Sequence, residues 1–362
     1  MKPEHPSWWD PHSDQPFKLD RSQKSRFQGA NLGEYLRTGL SAAALSPVIA
    51  WRYAGSAAVK PPPLTEFVGL GISPDHGDHD KIGELVEELG VKKLLLRVPS
   101  WHADQLEYYI AFAQRFNHCE LLINILQSRQ SVMEPDNWLR AVDSIITAFS
   151  PLTREFQIGN AINRSKWGCR HTGEYLDLLD GVNELRSRRP DVVLAGSSVI
   201  DFEPLATLRT LVNNRHYHLD ACSCALYVNR RGSPYATQYG LFDLARKIRL
   251  IHAMALTSNR CPSRLWITET NWPLLNTKPY TPNSGLPRST VDEASQAQYL
   301  SDYYRIAYHS GRVERVYWWQ LVNPGYGLVD HRGGVMRKMP SFNAFASLLQ
   351  KDVLSGQEGA TP

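Results

Sequence analysis

Residues 264–273 read RLWITETNWP and have the alternating, β-branched pattern of a buried strand. The strand carries one carboxylate, Glu269, to the point where it is expected to end, and Trp272 follows shortly after. Reactive groups of parallel α/β folds lie at the carboxyl ends of the strands, so Glu269 is the first candidate for a reactive residue. The alternative is a structural carboxylate that pairs with an arginine.

Strand-like apolar runs alternate with helical patterns from residue 65 onward. The predicted strands are residues 65–73, 92–98, 119–127, 155–160, 191–199, 219–227, 264–269 and 315–321. Repeated strand–helix pairs with nearly continuous apolar strands are typical of a parallel sheet closed into a barrel. We therefore predict an α/β fold, a (β/α)8 TIM barrel. An open doubly wound sheet is the competing fold, but the turn after the first strand, SPDHGDHD, lacks a glycine-rich phosphate motif.

Composition divides the chain into four parts. Residues 1–30 are polar, which predicts a mobile N-terminal tail with little to bury apart from Trp8 and Trp9. Residues 31–60 form a helical extension that leads into a proline-rich linker. Residues 61–352 form the barrel, and residues 353–362 form a mobile C-terminal tail.

The helical pattern of residues 32–53 places apolar side chains on one face, with a break expected near Pro47. One interpretation is a helix that docks on the barrel or on a partner protein. The other is an interfacial helix at a membrane surface, because Arg37 and Arg52 flank the apolar stretch. Four further basic residues precede it: Lys18, Arg21, Lys24 and Arg26.

The 362 residues carry a formal net charge of +4 without long basic runs, so no nucleic-acid partner is predicted. The five cysteines lack metal-ligand spacing and are interpreted as reduced, buried thiols. Residues 76–80 are interpreted as a loop and helix cap, and neither a metal nor a cofactor is predicted. No secretory signal and no run of about 18 apolar residues occurs, which predicts a cytoplasmic protein, with peripheral contact at the inner membrane face through residues 32–53 as a variant.

Polar and aromatic side chains gather at the predicted strand ends. They are Arg97 after the second strand, Asn160 after the fourth, Tyr227 and Asn229 after the sixth, and Trp318 or Trp319 after the eighth. With Glu269 they suit a sugar ring: Arg97 and Tyr227 would aim the carboxylate, Asn160 would bond a hydroxyl, and the tryptophan would stack on the apolar face of the ring.

The segment at residues 273–289 is too long for a plain connection, and such loops are usually functional. We expect it to wall a substrate groove, with Trp272 or Tyr280 as a sugar platform; the alternative is that these aromatic side chains serve local packing. Basic residues follow the fourth and sixth strands: Arg164, Lys166, Arg170, Arg230 and Arg231. They favour an anionic oligosaccharide or polysaccharide, with a solvated rim as the alternative.

The order of these strand-end residues resembles glycoside hydrolase clan A, the retaining (β/α)8 glycosidases, and is most similar to the family 39 group. In that clan the fourth strand ends in Asn-Glu, the sixth carries a His-x-Tyr-like element, the seventh ends in the nucleophilic Glu and the eighth presents a Trp. The resemblance covers nearly all of residues 65–350. It implies that Glu269 is the nucleophile and that Arg97, Asn160, Tyr227 and Trp318 belong to the substrate site. Asn229, from its place after the sixth strand, and Trp272, from the long loop, are added to the predicted substrate-binding residues.

Two positions depart from this pattern. Ala161 follows Asn160 where the resemblance requires the acid/base glutamate, and Ala225 takes the place of the histidine on the sixth strand. A retaining mechanism needs two carboxyl groups about 5 to 5.5 Å apart, so the chain as written is expected to be crippled on ordinary glycosides.

Three explanations for Ala161 remain open. The first is an engineered replacement of a natural glutamate, the second is a natural residue in a protein that binds carbohydrate without cleaving it, and the third is that another side chain serves as the acid. Candidates for that acid are Asp201, Glu203, Asp330 and the carboxylates of residues 75–80.

Two functions follow. The first is a glycoside hydrolase-like protein acting on a polysaccharide or glycoconjugate glycan, with Glu269 as nucleophile. The second is a catalytically inactive carbohydrate-binding or scaffolding protein of glycan or exopolysaccharide assembly. An isomerase or aldolase is weaker, because no lysine stands at a predicted strand end.

Overall fold

The computed structural model describes residues 2–20, 22, 31–281 and 289–350. After two short strands, β1 (Trp9–Asp10) and β2 (Gln15–Pro16), eight parallel strands close into a barrel in chain order, and the last pairs with the first. They are β3 (Val68–Ile72), β4 (Lys93–Pro99), β5 (Glu120–Leu126), β6 (Glu155–Ile158), β7 (Val193–Ile200), β8 (Ala221–Ala225), β9 (Leu265–Thr270) and β10 (Arg315–Trp318). The predicted (β/α)8 barrel is confirmed.

The strands are apolar because both of their faces are buried. One set of side chains fills the barrel interior and includes Leu95, Leu122, Trp266 and Tyr317. The alternate set packs outward against the helices in a larger core. Side chains on both faces of a strand are therefore buried on folding, which explains the nearly continuous hydrophobic runs of the sequence.

The helices surround the barrel. They are α1 (Leu32–Gly55), α2 (Leu64–Phe67), α3 (His79–Leu89), α4 (Leu106–Ala113), α5 (Arg129–Met133), α6 (Pro135–Phe149), α7 (Thr172–Arg188), α8 (Pro204–Leu211), α9 (Leu244–Thr257), α10 (Glu293–His309) and α11 (Pro340–Leu348). Asp78 caps α3, because its carboxylate accepts from the backbone N–H groups of Asp80 and Lys81 at 3.0 Å. This confirms the predicted helix cap in residues 76–80.

Helix α1 is continuous, so the predicted break at Pro47 is wrong. Proline lacks the N–H that would bond the carbonyl of Ala43. The Ser46 hydroxyl donates to that carbonyl at 2.8 Å instead, so the helix continues without an unsatisfied acceptor. No helix in the described ranges combines the length and hydrophobicity needed to cross a bilayer.

Residues 8–17, which we call the N-terminal hairpin, contain β1 and β2 and lie at the carboxyl ends of the barrel strands. Four of its residues are buried: Trp9, Asp10, Ser13 and Asp14. Burial of Trp9 was expected, but the prediction that the polar residues of this segment stay exposed is wrong for Asp10, Ser13 and Asp14. The N-terminal hairpin is held at the mouth of the barrel by polar contacts, which a hydrophobic pattern in the sequence does not reveal. Arg21, Lys24, Arg26 and residues 353–362 lie outside the described residues.

Candidate active site

Glu269, near the end of β9, lies between two hydrogen-bond donors. Arg97 of β4 donates through Nη2 to Glu269 Oε2, and the Tyr227 hydroxyl donates to Glu269 Oε1. Burial, reinforced by the Glu269 carboxylate, raises the pKa of Tyr227 well above its usual value, so the phenol stays a donor. Both carboxylate oxygens are therefore fixed by strong bonds. The structure brings these three predicted site residues together.

Arg97 is itself held from two further sides. Its guanidinium lies 3.6 Å from the ring centroid of Trp319, and its Nη1 donates to the backbone carbonyl of Asp14 at 3.2 Å. Trp319 has room because a glycine stands opposite: a Cβ on Gly71 would lie 2.4 Å from the indole ring. The sequence of β3 thus leaves space for an aromatic wall beside the Arg97–Glu269 pair.

A cavity of about 550 Å³ opens over this group. Glu269, Arg97, Tyr227 and Trp319 line it, together with residues 13–15 of the N-terminal hairpin and the loops after β6, β7 and β8. This volume lies within the range of pockets that enclose small ligands, about 300 to 1,000 Å³. Pro273 and Ser289 also line it, so both ends of the long predicted loop wall the cavity, whereas residues 282–288 lie outside the described residues.

Asp14 of the N-terminal hairpin is a carboxylate of this cavity that the sequence pattern did not indicate. Its Oδ2 accepts from Gln320 Nε2 at 2.9 Å and lies 2.9 Å from His76 Nε2. The hairpin is further fixed by a hydrogen bond from the Tyr326 hydroxyl to the Ser13 carbonyl. The only signal in the sequence was the Trp8–Trp9 pair, which predicts an anchored segment but not a carboxylate in the barrel mouth.

Ala161 is fully buried and is not part of the cavity wall. Its methyl group packs with Leu126, Trp167 and Trp9 of the N-terminal hairpin. Its φ of 47° lies in the left-handed region, which is uncommon for a residue with a Cβ. A glutamate side chain at this position would have to fit within this buried cluster, which contains two indole rings.

The two asparagines of the predicted site differ in position. Asn229 lines the cavity, and its Nδ2 donates to the Thr237 carbonyl at 2.9 Å. Asn160 is 4% exposed and lies outside the cavity lining, where its backbone N–H and C=O both bond the Gln127 side chain at 2.8 Å. The amide Nδ2 of Asn160 is buried and bonds no described residue.

The predicted sugar platforms Trp272 and Trp318 are wrong. Both indoles have no exposed surface, and they stack on each other with centroids 6.0 Å apart, away from the cavity. Trp272 also packs edge-on against Tyr303 of α10. Adjacent strand residues face opposite sides of a sheet, so Trp318 faces the helices while Trp319 faces the cavity. Tyr280 packs against His12 and His331 and also lies outside the cavity.

The other predicted acids are engaged or distant. Asp201 and Glu203 line the cavity, but both pair with Arg164. Asp330 pairs with Arg332 and Arg337 and lies outside the cavity lining, as does Asp75, which bonds His5 at 3.1 Å. Among the described residues that line the cavity with Glu269, Asp14 is therefore the carboxylate that does not pair with an arginine. Its contacts are Gln320 and His76.

The predicted basic rim lies partly in the cavity wall. Arg164, Lys166, Arg230 and Arg231 line it, and Arg170 does not. Burial lowers the pKa of Lys166 to about 7, against the opposing effect of Glu269, and its Nζ donates to Gln15 Oε1 at 2.6 Å. Arg231 places its guanidinium over the Tyr227 ring. A lysine that exchanges its proton near neutral pH thus lies in the same cavity as Glu269, on a loop rather than a strand end.

No protein-family model matches the sequence, and no curated protein is significantly similar to it. The structure is similar to a family 39 glycoside hydrolase from Bacteroides cellulosilyticus WH2, with a TM-score of 0.59 and 14% identity over 79% of this chain. This chain spans 63% of that protein.

Two further enzymes have similar structures. A GH30 endoxylanase from Clostridium papyrosolvens C71 gives a TM-score of 0.54 at 11% identity, over 82% of this chain and 74% of its own. The family 51 α-L-arabinofuranosidase AbfB from Bifidobacterium longum gives a TM-score of 0.54 at 15% identity, over 81% of this chain and 74% of its own. All three belong to clan A. The chain therefore has the (β/α)8 fold of the clan A glycoside hydrolases.

Proposed function

We propose that the cavity binds an anionic oligosaccharide or a segment of polysaccharide, and that the protein does not cleave it by the retaining two-carboxylate reaction. The full burial of Ala161, in a cluster with Trp9 and Trp167, carries this proposal. At the expected acid/base position, the small alanine side chain is part of a buried cluster that includes Trp9 of the N-terminal hairpin. The alanine is therefore matched to the residues around it. This favours a natural residue over an engineered one.

The cavity itself supports a charged sugar ligand. Glu269 accepts hydrogen bonds, Arg230 and Arg231 supply positive charge, and Trp319 lines the wall of the cavity under Arg97. Carboxylate or phosphate groups on a glycan would meet the guanidinium groups, and hydroxyl groups would meet Asn229 and Tyr227.

Binding is tested by calorimetric titration of the full chain with oligogalacturonides and with neutral oligogalactosides of equal length. We expect saturable binding that prefers the acidic series, and Arg231→Gln should lower the affinity about tenfold by removing a cation that can contact the ligand. Arg154→Gln is the matched control, because Arg154 immediately precedes β6, lies outside the cavity lining and pairs with Asp191. Absence of binding to both series would overturn the proposal.

A hydrolase with Glu269 as nucleophile is the second candidate, favoured by the way Arg97 and Tyr227 fix both oxygens of that carboxylate. Glu269 would attack the anomeric carbon as the bond to the leaving oxygen breaks, and that oxygen would take a proton from the Lys166 ammonium group, which lines the same cavity.

Turnover of an activated aryl glycoside separates the two candidates. We expect none from the parent, from Ala161→Glu or from the double variant Trp9→Ala/Ala161→Glu, in which one indole of the cluster is removed. Turnover by the parent that Glu269→Gln abolishes, or turnover gained by either glutamate variant, would favour the hydrolase.

A further inference from the structure

Helix α1 exposes a continuous apolar stripe on the side that faces away from the barrel. Leu32, Leu36, Leu40 and Trp51 are 60 to 72% exposed, and Val48 is 43% exposed. The spacing of three, four or eight residues places them along one face of a helix of 24 residues, which is about 36 Å long. Five large apolar side chains on one helix face are an unusual amount of exposed apolar surface.

The opposite face of α1 anchors the helix to the barrel. Ile49 is buried, and Ala42, Leu45 and Tyr53 pack against the main core. Glu34 accepts from Arg209 of α8 at 2.7 Å, which fixes the beginning of the helix. The outer stripe is therefore presented by a docked, formed helix, and it shares no residue with the cavity.

The surroundings of the stripe are basic. Helices α1, α8 and α9 pack together on this side and contain one carboxylate, Glu34, which pairs with Arg209. Their remaining basic residues include Arg37, Arg52 and Arg249. Arg312 joins them at the end of α1, where it donates to the Ser56 carbonyl at 2.6 Å.

These arginines contact neutral groups. Arg37 donates to Asn214 Oδ1, Arg249 donates to the Ala54 carbonyl, and Arg52 lies over the Trp51 ring. No carboxylate of the described residues forms an ion pair with these three or with Arg312. Burial and the neighbouring Arg249 lower the pKa of Arg312, as expected for cations that repel each other without a counter-charge.

We propose that the outer face of α1 binds the surface of an anionic lipid bilayer, with the leucines and Trp51 in the headgroup region and the surrounding arginines on lipid phosphates. An amphipathic helix with apolar side chains on one face can lie in the plane of a bilayer interface. A second copy of the chain on the same face would bring the arginines together around a two-fold axis, which the charge opposes. An anionic bilayer supplies the missing counter-charge over the whole length of the helix.

The test is flotation of the full chain with vesicles of phosphatidylcholine, alone or mixed with an equal amount of phosphatidylglycerol. We expect binding to the mixed vesicles that weakens with salt. Leu40→Gln/Trp51→Gln should reduce the partition coefficient about tenfold by removing two membrane-inserted apolar side chains. Met133→Gln/Val335→Gln is the matched control, because these side chains are 67% and 68% exposed outside α1. We expect it to bind within about twofold of the parent.

Urea unfolding of each variant establishes that the fold is retained, as expected for exposed positions. Failure of the parent to float with the mixed vesicles would overturn the proposal, and so would equal losses in the two double variants. Light scattering gives an independent check. A parent dimer that becomes monomeric in Leu40→Gln/Trp51→Gln would assign the stripe to a second copy instead.

Discussion

At the scale of single residues, the pairing of Glu269 with Arg97 decides what the cavity can hold. No more than a tenth of either side chain is exposed, so each charge depends on the other. Arg97 also stacks on Trp319 and bonds the carbonyl of Asp14, which joins the carboxylate to the barrel and to the N-terminal hairpin. A ligand that reaches Glu269 meets a carboxylate whose orientation is already fixed.

Removal of Arg97 alone should therefore lower the free energy of unfolding more than removal of both charges of the pair. We expect Arg97→Ala to lower the free energy of unfolding by about 3 kcal/mol, because Glu269 stays buried without its cation. Arg97→Ala/Glu269→Gln should lose less stability than Arg97→Ala alone, and therefore less than the sum of the two single variants, as measured by urea unfolding followed by circular dichroism. Arg154→Ala, which breaks the exposed pair with Asp191, is the control and should cost less than about 1 kcal/mol. Additive losses would contradict the coupling.

At the scale of elements, the N-terminal hairpin is a wall of the cavity built from outside the barrel. Trp9 shares a buried cluster with Ala161, and Asp14 contacts His76 and Gln320 at the carboxyl ends of the strands. Its stability is linked to the charge on His76, because that imidazole is buried against the Asp14 carboxylate.

The linkage predicts a pH dependence. Burial alone would lower the pKa of His76, but Asp14, assisted by Asp75 and opposed by Lys2, raises it above 6.5. A raised pKa stabilises the fold fully below the unfolded value and loses this effect as pH rises through the folded value. Asp14→Asn should therefore reduce the free energy of unfolding most below about pH 6.5, and its difference from the parent should shrink above it.

Urea unfolding across this pH range measures the difference. His76→Gln is the control background, in which Asp14→Asn should show no such pH dependence, because the titrating partner is gone. The imidazole of His331, with its ring centroid 5.7 Å from that of His76, is also nearby, so His331→Gln should leave the dependence in place. A difference that stays constant with pH would show that the Asp14–His76 contact is not a charge pair.

The elements also show what the sequence could predict. The barrel strands were evident because burial on both faces demands apolar runs, and Arg97, Tyr227 and Glu269 followed from their places at strand ends. The choice between Trp318 and Trp319 was not available, because it depends on the local register where β10 shifts against β9. The role of Asp14 depends on contacts with Gln320, 306 residues away, which no local pattern encodes.

At the scale of the whole molecule, closure of the barrel leaves its sheet without an edge. Five free cysteines are buried in different parts of this structure, with Cys222 and Cys224 in β8 and Cys119 immediately before β5. Burial raises the pKa of Cys119 to about 11 and that of Cys222 to about 12. Because the thiolate is the reactive form, these side chains are protected both by their burial and by staying protonated.

Thiol labelling should therefore report on the opening of the entire barrel. We expect an aromatic disulfide reagent to leave the native protein nearly unlabelled and to modify all five thiols in concentrated urea. In pulse labelling at increasing urea, Cys222 and Cys224 should react along the unfolding curve measured by circular dichroism, because β8 cannot leave a closed sheet alone. Cys119, which is 9% exposed, should react first, and Cys119→Ser should remove that early phase. Labelling of Cys222 or Cys224 well before the circular dichroism transition would show that the barrel opens locally at β8.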